Sequence, residues 1–412
     1  MTSTIATPKS GSKSGSSLQP SSSQSKLPAR LRRLRSLEDF EEAARRHLPR
    51  PVFGYMVEAA ERKRSLRANL ESFDDYGFVP RVLIDVSKRS QTTTLLGREY
   101  AAPFGLSPLG ISALSAYRGD LMMARAAARA NVPMIMSGSS LIRLEDVAKE
   151  RLGNWFQAYL PGDVPNITAL IERVANAGYQ TLVLTVDTQV TPNTDNFARN
   201  GFSSPLRPSL RLAWEGISHP RWLFGTFLNT LVRHGMPHFE NNFATRGAPI
   251  MSPSVTRDFV GRDHLNWEHF SLIRKMWSGN LVLKGVLHID DARKARDKGA
   301  DGIVVSNHGG RQLDGAVTAL RVLPDIVAAC PEIPVMMDGG IRRGTDVLKA
   351  LALGAKFVFV GRPFGYAAAV GGEAGVLHAI NLLAQEVSRD MAMLGVTALD
   401  QLDAKKHLVK YR

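Results

Sequence analysis

His308 and Arg311 stand three positions apart in the stretch VVSNHGGRQLDG, residues 304–315, with only Gly309 and Gly310 between them. Histidine is the side chain most often used as a general base, because its proton affinity lies near neutral pH. An arginine beside it presents a planar fork that fits a carboxylate. The two glycines let the chain turn tightly enough for both side chains to face one cavity. Asp187 ends the apolar run TLVLTVD and supplies a carboxylate to orient the imidazole and stabilise its protonated form. Lys284 closes another apolar run, and an ammonium buried there needs an anion to meet.

Two further stretches indicate the kind of ligand. DGGIRRGTDVLKALALGA (338–355) and VGRPFGYAAA (360–369) each read as a strand end, a glycine turn and a helix start. Backbone N–H groups at such turns form an anion nest, and phosphates in barrel proteins commonly sit after the seventh and eighth strands. Arg342 and Arg362 add charge beside the nest, so the pair of loops reads as a phosphate site.

These residues need a scaffold. Beyond residue 100, eight short apolar runs alternate with helical patterns: 103–110, 132–138, 154–160, 181–187, 280–286, 302–307, 333–340 and 357–363. Unbroken apolar strands between helices mark a parallel sheet covered on both faces, and eight of them predict an α/β fold of the closed (β/α)8 TIM-barrel type. Ser137, Gln157, Tyr159, Thr185, Asp187, Lys284, Ser306, His308, Asp338 and Arg362 fall at or near the C-terminal ends of these runs. Barrel active sites are assembled on that rim, so the polar residues are expected to converge there.

Composition narrows the class. The chain has 412 residues, 44% hydrophobic and 22% charged, which is ordinary for a globular protein, but its net charge is +14. That excess fits an anionic ligand or a membrane surface; no helix or aromatic–basic surface motif supports nucleic acid. One cysteine, Cys330, excludes a disulfide framework and a Cys-rich metal site, and no metal is expected. Residues 1–30 are Ser-rich and aperiodic, which predicts a disordered tail ahead of a single barrel domain over 31–412. No signal-peptide core and no run of about eighteen apolar residues is found, so neither export nor membrane spanning is expected.

From about residue 36 onward the chain resembles the FMN-dependent α-hydroxy acid dehydrogenase and oxidase family, which includes glycolate oxidase, L-lactate dehydrogenase and mandelate dehydrogenase. SNHGGRQLDG is the most specific motif, while SHPRWL (218–223) and RHGMP (233–237) resemble the membrane-associated members most. The resemblance implies an FMN-binding barrel that oxidises an (S)-2-hydroxy acid to the 2-oxo acid, passing a hydride or carbanion equivalent to flavin N5. It assigns His308 as base and Asp187 as its partner, with Arg311, Tyr159 and Tyr55 binding substrate. Pro108, Leu109 and Gly110 would lie against the flavin; Ser137, Gln157, Thr185, Lys284 and Ser306 would hold its ring and ribityl parts. Asp338, Gly339, Gly340, Ile341 and Arg342, with Gly361 and Arg362, would hold ribityl and phosphate. An anionic reduced cofactor would also satisfy Lys284. A homo-oligomer, a tetramer in the family, and a cytoplasmic location at the inner membrane face follow from the same resemblance, with a quinone, a respiratory carrier or oxygen as electron acceptor.

Two departures stand out. Thr194 occupies the position of a second substrate arginine, so a small carboxylate is expected to bind weakly, and VEAAE (57–61) replaces a glycine-containing turn. They leave open a non-standard substrate or a non-catalytic flavin binder, and the DGG region alone is also similar to that of IMP dehydrogenase. The connection at about 195–279 far exceeds the usual two to six residues or so. It interleaves Trp214, Trp222, Phe224 and Phe227 with Arg211, Arg221 and Arg233, a composition suited to a membrane interface or to a lid over the barrel.

Overall fold

The computed structural model describes residues 27–150, 155–193, 195–203, 207, 209–252 and 262–411. The Ser-rich stretch 1–26 and Thr194 lie outside them. Eight strands form one parallel sheet: β1 (Phe104–Leu106), β2 (Ile135–Ser137), β3 (Trp155–Ala158), β4 (Thr181–Thr185), β5 (Asn280–Val286), β6 (Gly302–Val305), β7 (Val335–Asp338) and β8 (Phe357–Val360). Their order is β1-β8-β7-β6-β5-β4-β3-β2, and a parallel bridge from Leu106 to Met134 joins the two ends, closing the barrel that the eight apolar runs predict.

The barrel's inside is packed. Ile135, Trp155, Val183, Val282, Val304, Met336, Phe357 and Phe359 form one buried cluster, capped by Leu95 and Tyr100 of a short antiparallel hairpin. Tyr100 packs 5.8 Å from Phe357, the first residue of β8, so the hairpin plugs the N-terminal end. The C-terminal end is left for a site. Successive side chains on a strand point to opposite faces, so the residue two positions beyond each inner one also points inward, at the upper rim. That rule carries Ile135 to Ser137, Trp155 to Gln157, Val183 to Thr185, Val282 to Lys284, Val304 to Ser306 and Met336 to Asp338.

Helices α1 (Gly119–Arg129), α2 (Leu144–Ala148), α3 (Val164–Asn176), α4 (Trp267–Met276), α5 (Ile289–Asp297), α6 (Ala319–Ala329), α7 (Gly344–Ala352) and α8 (Arg362–Leu394) follow the strands in turn. Their starts are written locally: Asp163 accepts from the Asn166 N–H ahead of α3, and Thr318 accepts from Arg321 ahead of α6. Cys330 ends α6 and is buried. Helix α8 is long and apolar enough, by length and composition, to cross a membrane, but half of its most apolar window is buried inside the protein.

Between β4 and the barrel's own α4 lie a short helix Asp195–Asn200, a helix Leu210–Ile217 and a continuous helical segment from Pro220 to His234, π-helical over Leu223–Leu228. Trp222 is buried and its indole N–H donates to the Leu114 carbonyl at 2.7 Å; Phe227 stacks on it at 5.4 Å. These two aromatics therefore pack inward, and only part of the aromatic set read from composition reaches the surface. Trp214, Phe224, Leu210, Ile217 and Val232 are the exposed large apolar residues of this segment.

Candidate active site

His308 follows β6 in a left-handed conformation, φ 57°, and Gly309 and Gly310 continue it at φ 64° and 77°. A non-glycine residue there is strained, and the Ser306 hydroxyl, accepting from the His308 N–H at 3.0 Å, helps to hold it. The turn aims the imidazole at Asp187 on the loop after β4: Nδ1 lies 3.0 Å from Oδ1. An ionised carboxylate only accepts, so Nδ1 carries the hydrogen and Nε2 keeps its lone pair. The Tyr159 hydroxyl stands 3.4 Å from that Nε2. Burial works to raise the Asp187 carboxyl, but the charge that His308 carries once protonated, its hydrogen bond and the Lys284 charge outweigh it and hold the group below the ordinary carboxylate range.

His308 opens into a cavity of about 450 Å³ on the C-terminal rim. Tyr55, Tyr159, Arg311 and Lys284 line it, as do Pro108, Leu109, Gly110, Asp338 to Arg342, Gly361 and Arg362. Lys284 is buried, and the anion it meets is Asp338: Nζ lies 3.1 Å from Oδ2 and 3.0 Å from the Ser306 hydroxyl. Ser137 donates to Gln157 Oε1 at 3.3 Å, behind the cavity wall, whereas Thr185 and Ser306 line an adjoining cavity of about 400 Å³. Arg311 is clamped by the Tyr55 and Glu58 carbonyls, both 3.1 Å from Nη1, with its Cζ 5.0 Å from the Tyr55 ring centre. Arg362 lines the cavity and also gathers backbone carbonyls. Its Nε donates to the Met56 carbonyl, and its Nη2 to those of Glu58 and Gly309. Burial first, then the charge of Arg311, pushes its pKa down to about 10.

The profile of the FMN-dependent dehydrogenases matches residues 44–410. This chain belongs to that family. It is 40% identical over 377 residues to an L-lactate dehydrogenase of Caulobacter sp. (strain K31), covering 89% of this chain and 97% of that one. It is 34% identical over 369 residues to an (S)-mandelate dehydrogenase of Pseudomonas putida, covering 89% and 92%. Among solved structures, the monotopic membrane protein (S)-mandelate dehydrogenase superposes with a TM-score of 0.82 at 33% identity, over 92% of this chain and 99% of that one.

The residues present fit the FMN of the family. Gln157 Nε2, Thr185 Oγ1 and Asp338 Oδ1 are buried without a hydrogen-bond partner, an arrangement that is costly unless a polar ligand meets them. Gly339 and Gly340, at φ 101° and 83°, form the turn below Arg342 that the phosphate nest needs.

Several residues at this dehydrogenase site carry no sequence signal. Phe197 and Phe202 stack on Tyr55 at 5.6 and 4.9 Å and make an aromatic wall around Arg311. Asn69 and Asn307 exchange amide hydrogen bonds of 2.7 and 2.9 Å beneath the His308 turn. Arg262 lies with its Cζ 5.8 Å from the Tyr159 ring centre. Only the fold brings these distant segments together.

Proposed function

We propose that this chain oxidises an (S)-2-hydroxy acid to the 2-oxo acid, with His308 as the base. The observation that carries the reading is the 3.0 Å contact between His308 Nδ1 and Asp187, which leaves Nε2 free to accept a proton beside Tyr159 and Arg311. Bound FMN supplies a two-electron acceptor at N5 of its ring. His308 Nε2 takes the substrate hydroxyl proton, and Asp187 stays ionised and stabilises the imidazolium. Arg311 holds the carboxylate as a charged fork, and the hydroxyls of Tyr55 and Tyr159 orient the substrate oxygens. Lys284 offsets the negative charge that accompanies reduction.

The cofactor's ring and ribityl parts fall to the Pro108–Gly110 backbone, Ser137, Gln157, Thr185, Lys284 and Ser306. Asp338 to Arg342, Gly361 and Arg362 take the ribityl and phosphate. The exposed face of Leu210, Trp214, Ile217, Phe224 and Val232, flanked by exposed Arg211, Arg221 and Arg233, supports a peripheral membrane contact; the cytoplasmic side, and a quinone or respiratory carrier as acceptor, rest on the family resemblance.

The test is anaerobic titration of the flavin-loaded protein with (S)-lactate, (S)-mandelate and glycolate. Bleaching of the flavin by at least one of them is expected; a bound flavin that none of them reduces would sink the reading. Reoxidation by air and by a soluble quinone, with liposome flotation, separates the acceptors. Fast reoxidation by oxygen without lipid binding would identify an oxidase whose β4–α4 connection is only a lid.

A further inference from the structure

We propose that Glu58 is a positioning residue of the substrate pocket. Its carboxylate fastens the helix Asp195–Asn200 to the helix Arg50–Val57 and so sets the aromatic wall that a substrate side chain meets. The inference rests on the hydroxy-acid reading above. Glu58 lies in VEAAE, the departure from a glycine-containing turn, and it is buried, 1% exposed. A carboxylate withdrawn from water needs donors to meet it. Three do so: Asn200 Nδ2 donates to Oε2 at 2.5 Å, while Lys63 Nζ at 2.5 Å and the Ala59 N–H at 3.3 Å donate to Oε1. Glu58 directly follows one helix and Asn200 closes the other, so the first of these bonds joins the two.

The packing around this bond is made for close approach. A Cβ added at Gly54 would stand 2.6 Å from the Asn200 Cβ, so the glycine lets the two helices meet there. Buried Asn196 donates to the carbonyls of Ala59 and Glu61 at 3.2 and 2.8 Å, and Arg50 Nη2 donates to the Arg199 carbonyl at 3.3 Å. What these contacts hold in place is Phe197. Its ring centre lies 5.6 Å from that of Tyr55 and 5.6 Å from the Arg311 Cζ. Val52, Tyr55, Met56, Phe197 and Phe202 line the same cavity as His308 and Arg311. They are the apolar surface offered to a substrate side chain once Arg311 holds the carboxylate. The Glu58 side chain touches neither the reacting atoms nor the flavin contacts. The Glu58 carbonyl, which accepts from Arg311 and Arg362, survives any substitution of that side chain, so the effect of the carboxylate can be separated from the clamp on the two arginines.

The test compares Glu58→Ala, Glu58→Gln, Asn200→Ala and the double variant Glu58→Ala/Asn200→Ala with the wild type, all loaded with FMN, by the change in flavin absorbance on binding two probes. Phenylglyoxylate is a 2-oxo acid with an aromatic side chain, and oxalate has no apolar side chain to meet the wall. Glu58→Ala and Asn200→Ala are each expected to weaken phenylglyoxylate binding about tenfold, the scale of one hydrogen bond to a charged group, with oxalate binding nearly unchanged. Glu58→Gln keeps an acceptor for Asn200 and should recover most of the loss. The double variant should lose no more than either single one, because both act through one contact. Unchanged phenylglyoxylate affinity in Glu58→Ala, or losses that add in the double variant, would overturn the inference and leave the hydroxy-acid reading standing. Equal loss of both probes in Glu58→Ala and in Asn200→Ala would also overturn it, because that is the mark of a merely structural role. Wild-type protein that binds neither probe would overturn the hydroxy-acid reading itself, and this inference with it.

Discussion

Gly285 leaves the space that Asp187 fills: a Cβ added at position 285 would stand 2.8 Å from both the Cβ and the Cγ of Asp187. Gly285 also sits at φ 106°, at the irregularity where the β5–β6 register shifts between Lys284 and Val286. The carboxylate that orients the catalytic histidine is thus positioned by a missing side chain on the neighbouring strand.

Gly285→Ala is therefore expected to displace Asp187 from His308. Flavin content should stay near normal, and anaerobic flavin reduction should slow at least tenfold, on the order of what a misplaced catalytic group costs. Stopped-flow reduction at saturating substrate checks it. A variant that reduces at the wild-type rate would show that the pair tolerates the added methyl.

His308→Ala removes the base. FMN should remain bound, since no flavin contact is assigned to the imidazole, and reduction should slow by a factor on the order of hundreds to ten thousand. An unchanged reduction rate with a 2-hydroxy acid would dispose of the mechanism.

Asp120 governs a pH effect on stability. It is buried at the start of α1, and its Oδ2 accepts from Ser112 at 2.6 Å and from Ser140 at 2.7 Å. Burial dominates those bonds and raises its pKa from 3.8 to about 6. Between those values the folded protein binds the proton that the unfolded chain has released. Stability contributed by this group is therefore present at low pH, falls as pH rises from about 4 to about 6, and stays flat above. At about 1.4 kcal/mol per pH unit, the loss at neutral pH amounts to roughly 3 kcal/mol. Asp120→Asn should escape it, so its stability relative to wild type should rise across that window in urea unfolding. A difference that does not vary between pH 4 and 7 would contradict this.

The exposed apolar face offers an independent prediction. Trp214→Ser combined with Phe224→Ser should weaken liposome binding by tenfold or more, from the loss of about 1.5–3 kcal/mol of burial per large apolar side chain. Flavin reduction by the hydroxy acid should be unaffected. Equal flotation of variant and wild type would assign the face to something other than lipid.

Much of the scaffold was legible along the chain. The eight apolar runs are strands because a barrel strand is buried on both faces and must be apolar throughout, and the polar residue closing each run marks the rim. Asp187 and His308, 121 positions apart, could be paired from sequence because strand ends of one barrel converge. The family resemblance then supplied roles that spacing alone does not assign.

What the sequence by itself determined is the barrel, its upper rim and the polar residues presented there, because strand period and strand-end chemistry are local properties. Tertiary structure alone decided how those residues are supported. It turned two of the Arg362 donor nitrogens onto the carbonyls of Met56, Glu58 and Gly309, paired Lys284 with Asp338, and drew Trp222 inward to the Leu114 carbonyl. It also brought Phe197 and Phe202 against Tyr55, Arg262 against Tyr159, and an empty Cβ position at Gly285 against Asp187. Each of these depends on which distant segment packs alongside, and close packing between segments leaves no periodic trace in either one.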